Sequence, residues 1–505
     1  MNMKQFKNIW ILLTILLMGS CKKFLQENPT NFLTPGATGS SSKVARALAN
    51  ACYSSLQGVL AGQTSSYGGN TWNLMEFMTG KSNSDLGQTG FNTFVNLSYN
   101  NTSFYVDTWW QQMYLGIGAC NLALESIPPI EASDLTDAEK VNMLAEAHTL
   151  RALYYFFLVR MYGAVPMVTS VPKDLNLELP RTAAKNIYDS VIIPDLLTAE
   201  GSTLPWQDQT GLVSMAAVES ILADVYLTYA GAAIQGGDQY YAESAKRSKA
   251  VIDNGGFTLF QHYTDMNQPA NKNKGEFIFQ VQYAASVPSL NPLTALTIPN
   301  YSGISVYSDE YGSVHPTEPF IQSYPAGDLR VQERQFFYTK YPSISTGDTV
   351  VFKGHYIYKW FDSVAVTSTA KSDLNYTLYR LADVYLLYAE ASNRAEGGPD
   401  NDAVSYVNQI RQRAQLGAIG SNLSQDDFEH EVWLERYYEL CFENKMWFDM
   451  LRTQKVHNDV TGNWDNFIGH TTVWGATFTK NQLLFPVPLQ EIDVNPNLLP
   501  NNPGF

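Results

Sequence analysis

The sequence predicts a mostly α-helical protein, a tetratricopeptide-like helical-repeat scaffold with long loop-rich inserts and a few short strands. Three observations predict it. Apolar residues recur at helical spacing over long stretches, a hexapeptide within those stretches is repeated, and the intervening segments are rich in Gly, Ser, Asn and Tyr. At 505 residues the chain has the length of about three average domains or one large one. Its 45% hydrophobic content is ample for a sizeable core.

At the N-terminus Lys4 and Lys7 precede an apolar run from Ile9 to Met18, broken only by Thr14, and Gly19-Ser20 supply small residues before a cut. The run is shorter than the roughly 20 apolar residues of a permanent membrane span. Cys21 follows at once, an arrangement similar to the bacterial lipoprotein box, in which the thiol is lipidated and becomes the mature N-terminus. Residues 1–20 are therefore read as a lipoprotein signal peptide and Cys21 as the lipidation site, against the alternative of an ordinary signal with a chance cysteine. Cleavage removes two lysines and no acids, so the net charge goes from −15 to −17 (−15 − 2). An acidic protein of this kind has no general attraction for nucleic acid or anionic lipid. Membrane attachment would come from acyl chains on Cys21. Residues 21–40, polar and carrying Pro29, Pro35 and Gly36, read as an extended tether. Cys52, Cys120 and Cys441 lie in amphipathic helical patterns and read as buried free thiols.

Helical patterns follow from about Val44 to Leu60, from Tyr105 to Ile127, and from Thr136 to Tyr162, where Asp137 and Glu139 favour the start. Leu222-Ala223-Asp224-Val225-Tyr226-Leu227 then recurs as Leu381-Ala382-Asp383-Val384-Tyr385-Leu386, each copy continuing into Tyr-Ala one residue on. A Gly-Gly turn and a second helical pattern follow each copy, so the pairs span about 214–254 and 373–415. Helix, short turn and alanine-bearing helix make the tetratricopeptide unit. The copies are 381 − 222 = 159 positions apart, so the array is interrupted by inserts. In the second copy Leu378, Leu381, Tyr385 and Tyr388 are expected on one helical face, and Glu429 to Leu451 is expected to form a further long helix.

The inserts cover about 62–104 and 257–375, with strand patterns at Glu276–Tyr283 and Val350–Trp360. Long loops in compact domains are often functional. Catalytic signatures are mostly absent: His430-Glu431 has no second histidine at zinc-helix spacing, and there is neither a G-x-S-x-G elbow nor a phosphate loop, while a glycosidase carboxylate pair would depend on spatial closeness that a sequence does not reveal. The histidines are scattered, and no metal site or cofactor is predicted; the sequence does not say whether a bound calcium assists. What the loops offer is aromatic rings beside amides and carboxylates: Trp72, Asn83, Asp85, Tyr99, Asn101, Tyr301, Tyr307 and Tyr311. A flat ring covers the C–H face of a pyranose while polar side chains satisfy its hydroxyl rim. Three such rings at roughly 0.5–1.5 kcal/mol each would support an affinity of about millimolar to micromolar.

Taken together, the motifs resemble those of the SusD/RagB family of nutrient-binding outer-membrane lipoproteins. The resemblance rests on Cys21 with Phe24-Leu25-Gln26-Glu27-Asn28-Pro29, on Ala145-Glu146-Ala147 through Tyr162-Gly163-Ala164-Val165-Pro166, and on Tyr379-Arg380 with the second hexapeptide copy. Val407-Asn408-Gln409-Ile410-Arg411, Glu435-Arg436 through Phe448-Asp449-Met450-Leu451-Arg452, and the tail from Phe485-Pro486-Val487-Pro488 to Asn501-Asn502-Pro503-Gly504 complete it. It implies one domain over 41–505, a ligand surface made of loops, and a SusC-like TonB-dependent barrel as partner, with the tetratricopeptide side facing that barrel. The implied function is capture of an oligosaccharide or polysaccharide for import, without catalysis, at the outer membrane and facing the cell exterior. Lys22 and Lys23 depart from the acidic residues that surface-exported relatives often carry there. A peptide-binding RagB-like uptake lipoprotein, a surface glycoside hydrolase and a structural repeat adaptor are the alternatives.

Overall fold

The computed structural model describes residues 41–60, 71–87, 89–173, 178–287, 291–308 and 310–505. The signal peptide, Cys21, the tether and the Phe24–Pro29 motif lie outside the described residues. The longer helices are α1 (Ser42–Ala51), α2 (Thr71–Met78), α3 (Phe104–Ser126), α4 (Asp137–Tyr162), α5 (Ile193–Glu200), α6 (Met215–Ala230), α7 (Gln239–Asn254), α8 (Leu381–Glu396), α9 (Asn401–Arg413), α10 (Gln425–Glu439) and α11 (Met446–Thr453). Among the described residues the strands are short and pair only in twos: β1 (Ser82–Asn83) with β3 (His315–Pro316), β2 (Phe277–Val281) with β6 (Tyr376–Arg380), β4 (Phe337–Pro342) with β5 (Thr349–Ile357), and β7 (Lys455–His457) with β8 (Trp464–Asn466). The predicted class, helical repeats with loop-rich inserts and a few strands, is the observed one.

Helix α4 organises the core. Thr136 caps it in a reciprocal box with Glu139, and Gly163 ends it at φ +70°. From Ala145 to Tyr162 nearly every side chain is buried, so the helix is wrapped on all sides. Its Tyr154 ring lies where a Cβ on Gly116 of α3 would sit at 2.5 Å, which explains that glycine as a packing position. Gly118, two residues further along α3, has open space beside it.

The repeated hexapeptides lie on α6 and α8, and α7 and α9 are their partner helices. Leu381, Tyr385 and Tyr388 pack with Ala403, Val407 and Ile410 of α9 and Phe428 of α10. The two copies also touch each other, through Ala223 and Leu227 on one side and Leu387 and Ala391 on the other. Leu378 is not on that helical face, because residues 376–380 form β6 and α8 starts only at Leu381. The expected helix from Glu429 to Leu451 is likewise two helices. Phe442 and Asn444 adopt φ of +60° and +55° in the turn between α10 and α11, a conformation that no helix interior tolerates. The expected helix over 44–60 breaks at Cys52-Tyr53. Cys52, Cys120 and Cys441 are buried free thiols, as expected.

A buried ionic cluster joins the repeat pairs to the inserts. Glu439, at the end of α10, accepts from Arg380 at 2.8 Å, Arg413 at 2.8 Å and Arg330 at 3.3 Å. Arg380 also reaches Glu276 and Glu443, each at 2.9 Å, and Lys359 reaches Glu443 at 2.6 Å. Arg330 is completed by Asp328 at 2.7 Å and by Glu435. Burial alone would push the Glu439 carboxyl up, but Arg413, Arg380 and Arg330 override it and hold the group down at about 2. Nearby Glu76 of α2 is governed by the opposite balance. Burial dominates over the Asn444 N–H that donates to its carboxylate at 2.8 Å, and its pKa is pushed up to about 8.

Two outcomes follow from these charges. Changing Glu439 to Gln leaves three buried guanidinium groups short of a partner and should cost about 3–5 kcal/mol, read by denaturant unfolding. A wild-type stability would contradict the cluster's role. Glu76 is neutral in the folded chain up to about pH 8 and ionised when unfolded above roughly 4.3, so the unfolded state binds fewer protons in that window. Stability should therefore fall as pH rises from about 5 to 8. Glu76→Gln should flatten that fall, raising Tm by a few degrees at pH 8 and hardly at pH 5.

Candidate functional site

The insert residues 80–86, 297–316 and 349–357, with the loop at 472–476, converge on one face. The register of β1 and β3 starts it, pairing Ser82 with Pro316 and Asn83 with His315. Backbone bonds on either side, Thr317 N–H to Lys81 O and Asp85 N–H to Gly312 O, both 2.8 Å, extend the contact. Gly312 is required here, since it sits at φ +55° and a Cβ would lie 2.2 Å from Asp85 Oδ2. Lys81 points inward, donating to Asp459 at 3.0 Å and to the His457 carbonyl at 2.6 Å, which ties β1 to the β7–β8 hairpin.

Asp85 is the polar centre. Its Oδ2 accepts the Tyr356 hydroxyl at 2.7 Å and the Asn300 backbone N–H at 3.1 Å, and its Oδ1 lies 3.4 Å from His315 Nε2. Partial burial works against ionisation, but the hydrogen bonds from His315, Tyr356 and Asn300 outweigh it and hold the carboxyl below its ordinary range. The face therefore presents an ionised acceptor at neutral pH.

Beside it the chain makes a tight loop around a second acid. Glu310 is buried, and its carboxylate takes the N–H groups of Gly303, Ile304 and Ser305 at 2.7, 3.0 and 3.0 Å. The hydroxyls of Ser302 and Ser305 add bonds of 3.0 and 2.9 Å. This clamp presents Tyr301 at the loop apex, 88% exposed and at φ +49°. Such a conformation in a bulky non-glycine residue is costly, and strain of this kind concentrates at functional sites. A second ring closes the other side: Trp474 is 40% exposed and its indole N–H donates to Ser82 O at 3.3 Å.

Of the residues picked from sequence, Asn83, Asp85, Tyr301 and Tyr311 come together here. Asn83 sits on β1, its Oδ1 taken by the Ser84 N–H at 2.8 Å. Tyr311 contributes its backbone, whose carbonyl accepts from the Asn300 side chain at 3.3 Å, while its ring packs against the main core. Tyr307 packs beside the cluster of Ile298, Ile304 and Tyr338 that supports the loop from beneath. Tyr99 is a correction. It is buried among Phe94, Phe485 and Phe505, with centroids 5.2, 5.1 and 5.7 Å away, and its ring has no face left for a ligand. Asn101 belongs to that same region, where its carbonyl accepts the Leu489 N–H at 2.8 Å. Trp72 lies in α2, and its side chain is outside the described residues. Trp474, His315, Tyr356 and Glu310 were missed. For Trp474 a signal existed, a tryptophan followed directly by Gly475 in a loop. For the others nothing local distinguishes them.

The arrangement is suited to binding. Two exposed rings flank a carboxylate, an imidazole and a side-chain amide, while the Glu310 carboxylate beside them is consumed by five hydrogen bonds. Among the described residues no group of three His, Cys, Asp or Glu side chains is placed to hold a metal ion.

Comparison with known proteins places this architecture. Residues 300–505 match the family model described as the SusD family, and residues 23–227 match one described as "Starch-binding associating with outer membrane". The chain is 29% identical to SusD-like protein P2 of Formosa agariphila, with 100% of both chains covered. The fold is similar to the crystal structure of a SusD superfamily protein from Parabacteroides distasonis, with a TM-score of 0.89 and 46% identity over 93% of this chain and 100% of that one. It is also similar to surface glycan-binding protein A from Bacteroides uniformis, with a TM-score of 0.75 and 20% identity over 92% and 99% of the two chains. With two segments matched by models of this group and a solved relative 46% identical over 93% of this chain, the chain belongs to the SusD family.

Proposed function

We propose that this protein captures an oligosaccharide or polysaccharide at the outer membrane and passes it to a SusC-like TonB-dependent barrel, breaking no bond itself. The observation that carries the reading is the pairing of two exposed rings, Tyr301 and Trp474, around the ionised Asp85 cluster. Each ring supplies an apolar platform for a sugar face, and Asp85, His315 and Asn83 line the space where hydroxyls would project. Because the Glu310 clamp sets the Tyr301 loop before any ligand arrives, little ordering is left for binding to oppose. The names of similar proteins, a surface glycan-binding protein among them, support the same class of ligand. The signal-like N-terminus and Cys21 support lipid anchoring, which keeps the protein beside its transporter and makes modest affinity sufficient.

Electrophoresis through gels containing amylopectin, laminarin or xyloglucan tests the reading. At least one polysaccharide should retard the protein without releasing new reducing ends. Tyr301→Ala and Trp474→Ala should each weaken retardation by roughly 0.5–1.5 kcal/mol, about 2- to 13-fold in Kd. Retardation unchanged in the double variant would exclude this face, and released reducing ends from a pure preparation would make the protein a hydrolase. Glu310→Gln should speed amide exchange at Gly303, Ile304 and Ser305 at least tenfold while leaving α8 unchanged, since it removes the charge on which those three N–H groups converge. Cys21→Ala should move the protein from the membrane to the soluble fraction.

A further inference from the structure

A half-open cavity of about 310 Å³, which shares no lining residue with the Asp85 face, lies between α4, α6, α11 and the segment at Leu483-Leu484. Val159, Ile234, Phe448, Leu451, Leu483 and Leu484 give it apolar walls. One wall carries Arg160. The side chain is only 9% exposed, and its guanidinium is sandwiched between the rings of Phe156 and Phe448, 3.6 and 3.8 Å from their centroids. Nε donates to the Phe156 carbonyl at 3.2 Å. Neither Nη atom hydrogen-bonds to a described residue. The nearest carboxylate, Asp224 Oδ2, is 3.8 Å from Nη1, too far for a hydrogen bond, and already accepts the Tyr379 hydroxyl at 2.7 Å. A guanidinium so deeply placed ordinarily has its donors matched.

The geometry points to a second binding site, for an aliphatic monocarboxylate. The apolar walls select a hydrocarbon chain, and the lining side chains of Arg452, Gln454 and Thr228 already donate to Glu390, the Leu451 carbonyl and Asp224. The aromatic sandwich fixes the guanidinium plane and leaves its Nη edge for a carboxylate. Asp224 nearby disfavours a doubly charged phosphate. At roughly 30 Å³ per water-sized group the cavity takes about ten such groups, a fatty acid of about eight to ten carbons.

Calorimetric titration of the full mature chain with decanoate, kept below its micellar concentration, tests this. One saturable site is expected, with decanol and decyltrimethylammonium binding at least tenfold more weakly. Arg160→Met, which keeps the stem of the side chain, should weaken decanoate at least tenfold without altering polysaccharide retardation. Ala233→Phe fills the cavity mouth from an exposed position, keeps Arg160, and should also abolish binding; it decides the matter if Arg160→Met folds poorly. The proposal is overturned if decanoate does not saturate, if decanol binds as well as decanoate, or if both variants bind like wild type. It is equally overturned if a peptide ending in leucine displaces decanoate at lower concentration, which would assign the cavity to a partner's chain terminus.

Discussion

The structure depends on a carboxylate that three arginines share. Glu439 stands where the end of α10, the end of α9 and the junction of β6 with α8 meet, and Arg330 brings the insert around 328–337 to the same point. Such a cluster is a constraint before it is a source of stability. Desolvating its members is costly, and the attraction offsets that cost only in one geometry with every donor matched. A displacement of any contributing segment would strand a buried charge. The cluster therefore fixes how the inserts leave the repeat scaffold.

From that fixed point the ligand face is reached by short links. The turn after α10 hands its Asn444 N–H to Glu76 of α2, whose carbonyl in turn accepts the Ser82 hydroxyl at 2.8 Å on β1. Lys81 binds β1 to Asp459, and the same C-terminal excursion returns Trp474 onto the Ser82 carbonyl. β1 then registers β3, and β3 with Asp85 positions the 297–316 loop. Loops that carry function are commonly mobile; here they are held by buried polar bonds, and the exposed Tyr301 is the end of that chain of supports.

Much of the scaffold was legible because helical periodicity, caps and the repeated hexapeptide are local signals. Thr136 with Glu139, and Gly397 after α8, mark their helix ends in sequence and in structure alike. The failures were also physical. Residues 376–380 read as helix because Leu378 falls at heptad spacing to Leu381, yet pairing with β2 takes them into a strand. The turn at 440–445 was invisible because Phe442 and Asn444 are held at positive φ by tertiary bonds, including Lys359 to the carbonyls of Glu439 and Cys441. At the site, residue type and loop location found Asp85 and Tyr301 but also Tyr99, since burial of a loop aromatic depends on segments hundreds of residues away, here Phe485 and Phe505. His315, Tyr356 and Glu310 were unreadable for the same reason.

The central claim is that a preformed face around Asp85, Tyr301 and Trp474 receives the ligand while the ionic cluster stays still. Amide hydrogen exchange of the mature chain, with and without a saturating polysaccharide that retards it, tests this most directly. Protection should rise across 297–312 and 472–476 and stay constant at 435–443. Protection gained instead on the paired helices of the repeat, with none at those two loops, would contradict it.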